Sequence, residues 1–269
     1  MSPTVPAVER ITIRKCNGID EFKACVDLQK EVWNFDDLDI VPLRMFVVSE
    51  KIGGQIIGAF DGSQLVGFAF SIPGSRNGHP YLHSHMLAVR DSFRNVGLGR
   101  RLKLAQREDA ISKGFELLEW TFDPLEIKNA HLNLVRLGAM ARRYSVNHYG
   151  FSSSPLQGGL PTDRLVAEWW IKSRRVLNLL ERDTPPQFTV EKKVSVPGQI
   201  YAWKASDADR PKAAEVQKRN RQQFLDAFRT GMAALGYERD AQGNGSFLLG
   251  HWDENWSYAS APEENGNED

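Results

Sequence analysis

Cysteine is nearly absent from this chain: Cys16 and Cys25 are the only two in 269 residues. A pair so few and so close in sequence cannot form the disulfide framework of a secreted fold, so two free thiols in a reducing compartment are expected. Net charge is absent too. Lys plus Arg and Asp plus Glu both number 34, so the composition carries no basic footprint for a nucleic-acid partner. No apolar run approaches the ~20 residues that span a bilayer, and the opening Met-Ser-Pro-Thr-Val-Pro has neither the charged nor the apolar region of a signal peptide. These absences together predict a cytoplasmic protein with no membrane association and no nucleic-acid partner. Apolar residues, by contrast, make up 41% of the chain, enough for one large core or two modest ones.

The most informative segment is Arg94-Asn95-Val96-Gly97-Leu98-Gly99-Arg100-Arg101. Ahead of it, Met86-Leu87-Ala88-Val89 reads as a buried strand; behind it, Leu98, Leu102 and Ala105 share one helix face. The glycines therefore open a helix. A helix N-terminus offers unpaired backbone N–H groups and partial positive charge, glycine permits close backbone approach, and Arg100 and Arg101 stand ready for anion contacts. Two familiar phosphate loops fit poorly. Position 102 is leucine where the dinucleotide fingerprint places a third glycine, and the Gly-Lys-Ser/Thr of the Walker pattern is missing.

Periodicity and punctuation then predict the elements. Strands are expected at 10–14, 55–60, 64–72, 81–89, 115–122, 140–149 and 164–171, with helices at 20–33, 98–112 and about 126–137. Asp61-Gly62-Ser63 is a hairpin signal and Gly138 a helix stop. Past 171 the texture changes: a helix over 174–182, a strand over 188–196, a long helix over 213–235 with Val216, Phe224, Phe228, Met232 and Leu235 in one stripe, and a closing hairpin of 237–239 with 247–252. The last residues are polar and acidic, which predicts a disordered tail over 259–269.

Arg94, Gly97 and Gly99 occupy the specified places of Gln/Arg-x-x-Gly-x-Gly/Ala, so the segment resembles motif A of the GNAT acyltransferase superfamily, and the element order over residues 10–171 is similar to that superfamily's. The longer blocks between 81 and 169, beginning Tyr-Leu-His-Ser-His-Met-Leu-Ala-Val and ending Leu-Pro-Thr-Asp-Arg-Leu-Val-Ala-Glu-Trp, resemble a bacterial subgroup of predicted acetyltransferases, some of whose relatives are linked with N-succinylation of amino acids. The resemblance implies an α/β (α+β mixed) fold: a central bent mixed sheet with helices on both faces over 10–171, preceded by a tail over 1–9. A C-terminal α+β extension over 172–258 would serve as pocket wall or homodimer contact.

The resemblance also implies the chemistry. Acetyl-CoA or another acyl-CoA would pair its pantetheine arm with the main chain of Leu87, Ala88 and Val89, and its diphosphate would rest on Asn95, Val96, Gly97, Leu98, Gly99 and Arg100, with Arg94, Arg101 and Asn129 nearby. Counting back four residues from Leu87 places the general base at His83. His85 stands beside it, and strand alternation predicts that both share a face with Leu87 and Val89. Neutral imidazole suits deprotonation of an ammonium near pH 7. The same two residues also read as hydrogen-bonded core histidines. A metal reading of His79, His83 and His85 finds no Asp, Glu or Cys between Arg76 and Arg90 to complete a ligand set, so no metal is expected. The tyrosine that many superfamily members carry on the later helix as general acid is missing; Tyr144, with Tyr149, is the nearest candidate on the following segment, and His131 and Asn133 are alternative polar groups on the helix.

Trp33, Phe35, Asp36, Asp37 and Arg44 follow the first helix, where the resemblance puts the acceptor pocket, and their mixture of aromatics and both charges suits a small amino-acid-like amine. Asp123, Asp163, Arg164 and Glu168 could face a substrate or act as caps and turn residues. The expected function is acyl transfer from CoA to such an amine; the alternative is a non-catalytic acyl-CoA-binding or sensing module.

Overall fold

A computed structural model describes residues 10–34, 37, 39–150 and 157–251. The expected N-terminal tail, acidic tail, Phe35 and Asp36 lie outside these. Of the described residues, those through Leu118, with Gln157, pack as one unit, and the rest from Glu119 on as a second. No helix of the described residues is long and apolar enough to cross a membrane.

The first unit holds β1 (Ile11–Lys15), α1 (Gly18–Trp33), α2 (Leu43–Lys51), β2 (Gln55–Asp61), β3 (Gln64–Arg76), β4 (His79–Val89) and α3 (Leu98–Ser112). Its strands run antiparallel in the order β1-β2-β3-β4. Helices cover both faces, because alternate strand residues are apolar toward each. On one face Phe22, Cys25 and Leu28 of α1 and Phe46 of α2 pack against Phe68, Phe70, Met86 and Ala88. The rings of Phe46 and Phe70 lie 4.7 Å apart and those of Phe22 and Phe46 6.3 Å apart. On the other face Leu98 and Leu102 of α3 cover Ile57, Ala59, Val66 and Ala69. The sequence reading missed α2, whose buried side consists only of Phe46 and Ser49, too short a stripe to stand out as a period.

The second unit comprises β5 (Leu117–Phe122, which crosses the boundary), α4 (Ile127–His131), β6 (Met140–Ser145), β7 (Arg164–Trp170), α5 (Arg174–Arg182), β8 (Lys192–Val196), α6 (Ile200–Ala205), α7 (Arg210–Arg229), β9 (Met232–Arg239) and β10 (Gly245–His251). The strand order is β5-β7-β6-β9-β10-β8. Phe224 of α7 stacks on Tyr144 at 5.7 Å and meets Phe247 edge-on at 5.1 Å, which ties helix to sheet.

Four expectations are corrected here. The long helix over 213–235 ends at Arg229, because Gly231 takes φ +81°; Met232 and Leu235 of the expected stripe belong to β9. Met232 and Leu235 extend the helical spacing by coincidence, and the glycine outweighs it. The strand over 140–149 stops at Ser145 before Asn147 turns through φ +46°. The strand expected from Phe188 starts at Lys192. The helix over 126–137 gives up its α pitch at Leu132 for a π-helical turn, Leu132–Arg136, before Gly138 at φ +73°.

Candidate active site

The loop after β4 folds as the sequence predicts and opens α3. A single 3₁₀ turn at Asp91–Phe93 is followed by two left-handed residues, Asn95 at φ +63° and Gly97 at φ +82°. Gly97 is the N-cap of α3. No side chain caps the helix and its first turn carries no acid, although acids are what the dipole would favour there. The first ladder bond is Arg101 N–H to Gly97 O, at 3.1 Å. The N–H groups of Leu98 and Gly99 therefore precede the ladder. Asn95, Val96 and Gly97 are exposed, and a Cβ built on Gly97 meets nothing within 4 Å. Its glycine is required by backbone conformation, not by crowding. An uncapped helix end, bare of carboxylates and open to solvent, suits a phosphate.

Two of the arginines are engaged elsewhere. Arg94 turns back, donating from Nε to Val89 O at 3.0 Å and pairing with Asp91 at 2.6 Å. Arg101 donates to Ile11 O at 2.9 Å and so ties α3 to β1. Both shape the loop and its surroundings. Arg100 is half-buried on α3.

β4 differs from the expected simple strand at one residue. Its register with β3 runs Met86↔Phe70 and then Ser84↔Ser71, so His85 is an extra residue, a β-bulge. Below the bulge the faces exchange. Leu87 and Val89 pack toward α3, whereas His83 sits opposite Ile72, which packs toward α1 and α2. The His85 ring lies 6.2 Å from Phe70 and 6.1 Å from the ring of His83. The two histidines thus face α1 and α2, away from Leu87 and Val89. Strand alternation alone predicted the reverse, because period two survives only without a bulge. Burial holds His85 below the ordinary histidine pKa, which favours neutral imidazole at neutral pH.

The remaining candidates are dispersed. Trp33 is partly buried against the α1–α2 core. Asp37 is exposed and paired with Lys30 at 2.9 Å, and Arg44 is exposed in the first turn of α2. Asn129 is exposed on α4. Among the described residues, no three His, Cys, Asp or Glu side chains converge as a metal site.

Tyr144 is bound into a buried cluster. Its hydroxyl donates to Asp163 Oδ2 at 2.7 Å, and Arg221 grips the same carboxylate from Nε at 2.8 Å and from its terminal nitrogen at 3.0 Å. Burial and then the Asp163 carboxylate push the phenol pKa well up, which disfavours proton release. Tyr144→Phe is expected to lower Tm by roughly 3–10 °C, the effect of one charge-assisted hydrogen bond in a chain of this size. Turnover should stay unchanged; a melting scan and a rate assay check the pair. The other polar candidates are bonded within the protein as well. Asp123 accepts from Leu125 N–H and from Lys204 at 3.0 Å, Glu168 accepts from Arg142 and Arg143, and Arg164 lies over the Tyr149 ring.

Residues 20–133 match the family described as Acetyltransferase (GNAT) family. Among solved structures, a Salmonella typhimurium protein determined with its cofactor acetyl-CoA is 15% identical, over 60% of this chain and 94% of that one, with a TM-score of 0.50. The ribosomal-protein-S18-alanine N-acetyltransferase of Escherichia coli is 14% identical over 60% and 94%, TM-score 0.48. A GNAT family acetyltransferase of Elizabethkingia anophelis with acetyl-CoA bound is 15% identical over 60% and 99%, TM-score 0.44. Among curated proteins, none matches this chain.

Proposed function

Since residues 20–133 match the GNAT acetyltransferase family, we propose that this protein is an acyl-CoA-dependent N-acyltransferase acting on a small, amino-acid-like amine. The observation that carries the reading is the Gly97 helix end: uncapped, acid-free and exposed, one loop after a strand bearing two adjacent histidines on one face. That helix end fits the CoA diphosphate, held by the main chain of Asn95 to Arg100, and Leu87 to Val89 accompany the pantetheine arm.

His83, as neutral imidazole, takes a proton from the acceptor ammonium. The freed amine attacks the thioester carbonyl; a C–N bond forms as the C–S bond breaks, and a strand N–H at Leu87 or Ala88 steadies the oxyanion. The nitrogen loses its second proton to solvent and the leaving thiolate takes one from it, which needs no tyrosine. His85 keeps His83's surroundings apolar and neutral.

In this reading the acceptor lies against one or more of Trp33, Asp37 and Arg44. An exposed ion pair such as Lys30–Asp37 contributes about 0–1 kcal/mol, so an incoming ammonium displaces Lys30 at little cost, while Arg44 takes a carboxylate. With acetyl-CoA or succinyl-CoA as donor, a thiol-release screen should show turnover of free amino acids and at least tenfold less of their methyl esters. Equal rates on acids and esters, or activity confined to polyamines or lysyl peptides, removes the zwitterion assignment and leaves acyl transfer standing. Absence of turnover with every donor and amine leaves the acyl-CoA-binding module as the better reading.

A further inference from the structure

Behind the histidine face, on the α3 side of the sheet, lies a buried polar chain. Lys103 Nζ donates to Ser84 Oγ at 2.7 Å, Ser84 Oγ to Gln106 Oε1 at 3.1 Å, and Gln106 Nε2 to Ser71 Oγ at 2.6 Å. Ser71 Oγ then donates to Gln55 Oε1 at 2.9 Å, and Gln55 Nε2 to Asp109 Oδ2 at 2.9 Å. Lys15 and Lys113 close the far end on Asp109 at 2.5 and 2.9 Å. These five side-chain bonds run the same way, from Lys103 toward Asp109, and so polarise one another in one sense, while Gln55 Nε2 also donates to Gln106 O at 2.8 Å. Lys103 is 2% exposed and Gln106 fully buried. A lysine in such a place is costly, and core packing alone would be met by leucine or methionine.

The chain is joined to β4 at Ser84, which is flanked by His83 and His85. Ser84 and Ser71 are also the pair at which the β3–β4 register resumes after the bulge. If the bulge slid or flattened, Ser84 would turn to the α1–α2 face, leaving Lys103 Nζ and Gln106 Oε1 without it in the interior. We propose that Lys103 and Ser84 are positioning residues: the polar chain pins the bulge at His85 and so keeps both imidazoles on the α1–α2 face. The catalytic consequence rests on the acyltransferase reading; the conformational one does not.

The test therefore uses two readouts. Histidine ring titrations by NMR on ¹⁵N-labelled protein follow His85 in the parent and in Ser84→Ala, Lys103→Met and Ser84→Thr. Among the described residues, His83 on its own strand is a titratable group beside His85, while β3 presents Phe70 and α2 presents Phe46 behind it. Both deletions are expected to move the His85 titration up toward the ordinary histidine range as the ring leaves its buried seat, and Ser84→Thr to restore the parent curve. Initial rates with acetyl-CoA should show kcat down roughly 10- to 100-fold at unchanged KM for the donor, the scale of a small misplacement of a reacting group. Folded Ser84→Ala and Lys103→Met proteins with the parent His85 titration overturn the proposal. A parent protein that turns over no acyl-CoA overturns the enzyme reading instead, and the titrations still decide the positioning role.

Discussion

Gly97→Asp is expected to weaken acetyl-CoA binding by about 100-fold or more, read by calorimetry on protein that still melts cooperatively. The substitution puts a carboxylate at the N-cap of α3, where the first turn now carries no acid and the exposed N–H groups have no side-chain cap. Aspartate there would set a carboxylate beside the N–H groups a phosphate needs and add like-charge repulsion. Loss of charge-assisted hydrogen bonds, each worth about 1.5–3 kcal/mol, reaches a hundredfold with one or two contacts. Gly97→Asn is the control. It accepts the left-handed φ of +82° about as readily and carries no charge, so it should bind more tightly than the aspartate variant by at least tenfold. Parent affinity in Gly97→Asp would remove this helix end from the CoA site.

His83→Ala is expected to lower kcat/KM by roughly 10²–10⁴-fold, the range for loss of a general base, with donor affinity nearly kept. His85→Ala should cost less rate and more stability, since His85 is the one held against Phe70 and kept below its ordinary pKa by burial. The sign of that second effect can be worked out. With its folded pKa lowered, His85 binds fewer protons than in the unfolded chain as pH falls through the ordinary histidine range, so the parent loses stability there. His85→Ala removes this one contribution, and its Tm should fall less between pH 7 and pH 5 than the parent's. An unchanged rate in His83→Ala with a large drop in Tm would return the pair to the role of core histidines.

How much of this could be read in advance differs residue by residue. The glycine loop was legible because its signals are local: strand, left-handed glycine and helix start lie within a dozen residues, and backbone conformation there depends on neighbours in sequence. The histidine pair was identified by count and then put on the wrong face. Nothing in Leu82 to Leu87 announces a bulge, since one extra residue becomes visible only when β3 supplies the partner register. Tyr144 looked available because its two partners, Asp163 and Arg221, come from a distant strand end and a distant helix.

By itself, then, the amino-acid order determined most of the strands and helices through residue 131, α2 excepted, which helix opens on a glycine loop, and which residue types could move a proton. Those follow from hydrophobic period, glycine conformation and pKa, all properties of short segments. Only the tertiary structure decided which face His83 and His85 occupy, that Arg94 and Arg101 bond to main-chain carbonyls, and that Lys103 lies buried in a one-way chain ending at Asp109. It also decided that the apolar stripe running past Arg229 divides between α7 and β9. Each of these depends on partners from separate strands and helices, and a polar side chain in a helix or strand carries no mark of whether water or another buried side chain will satisfy it.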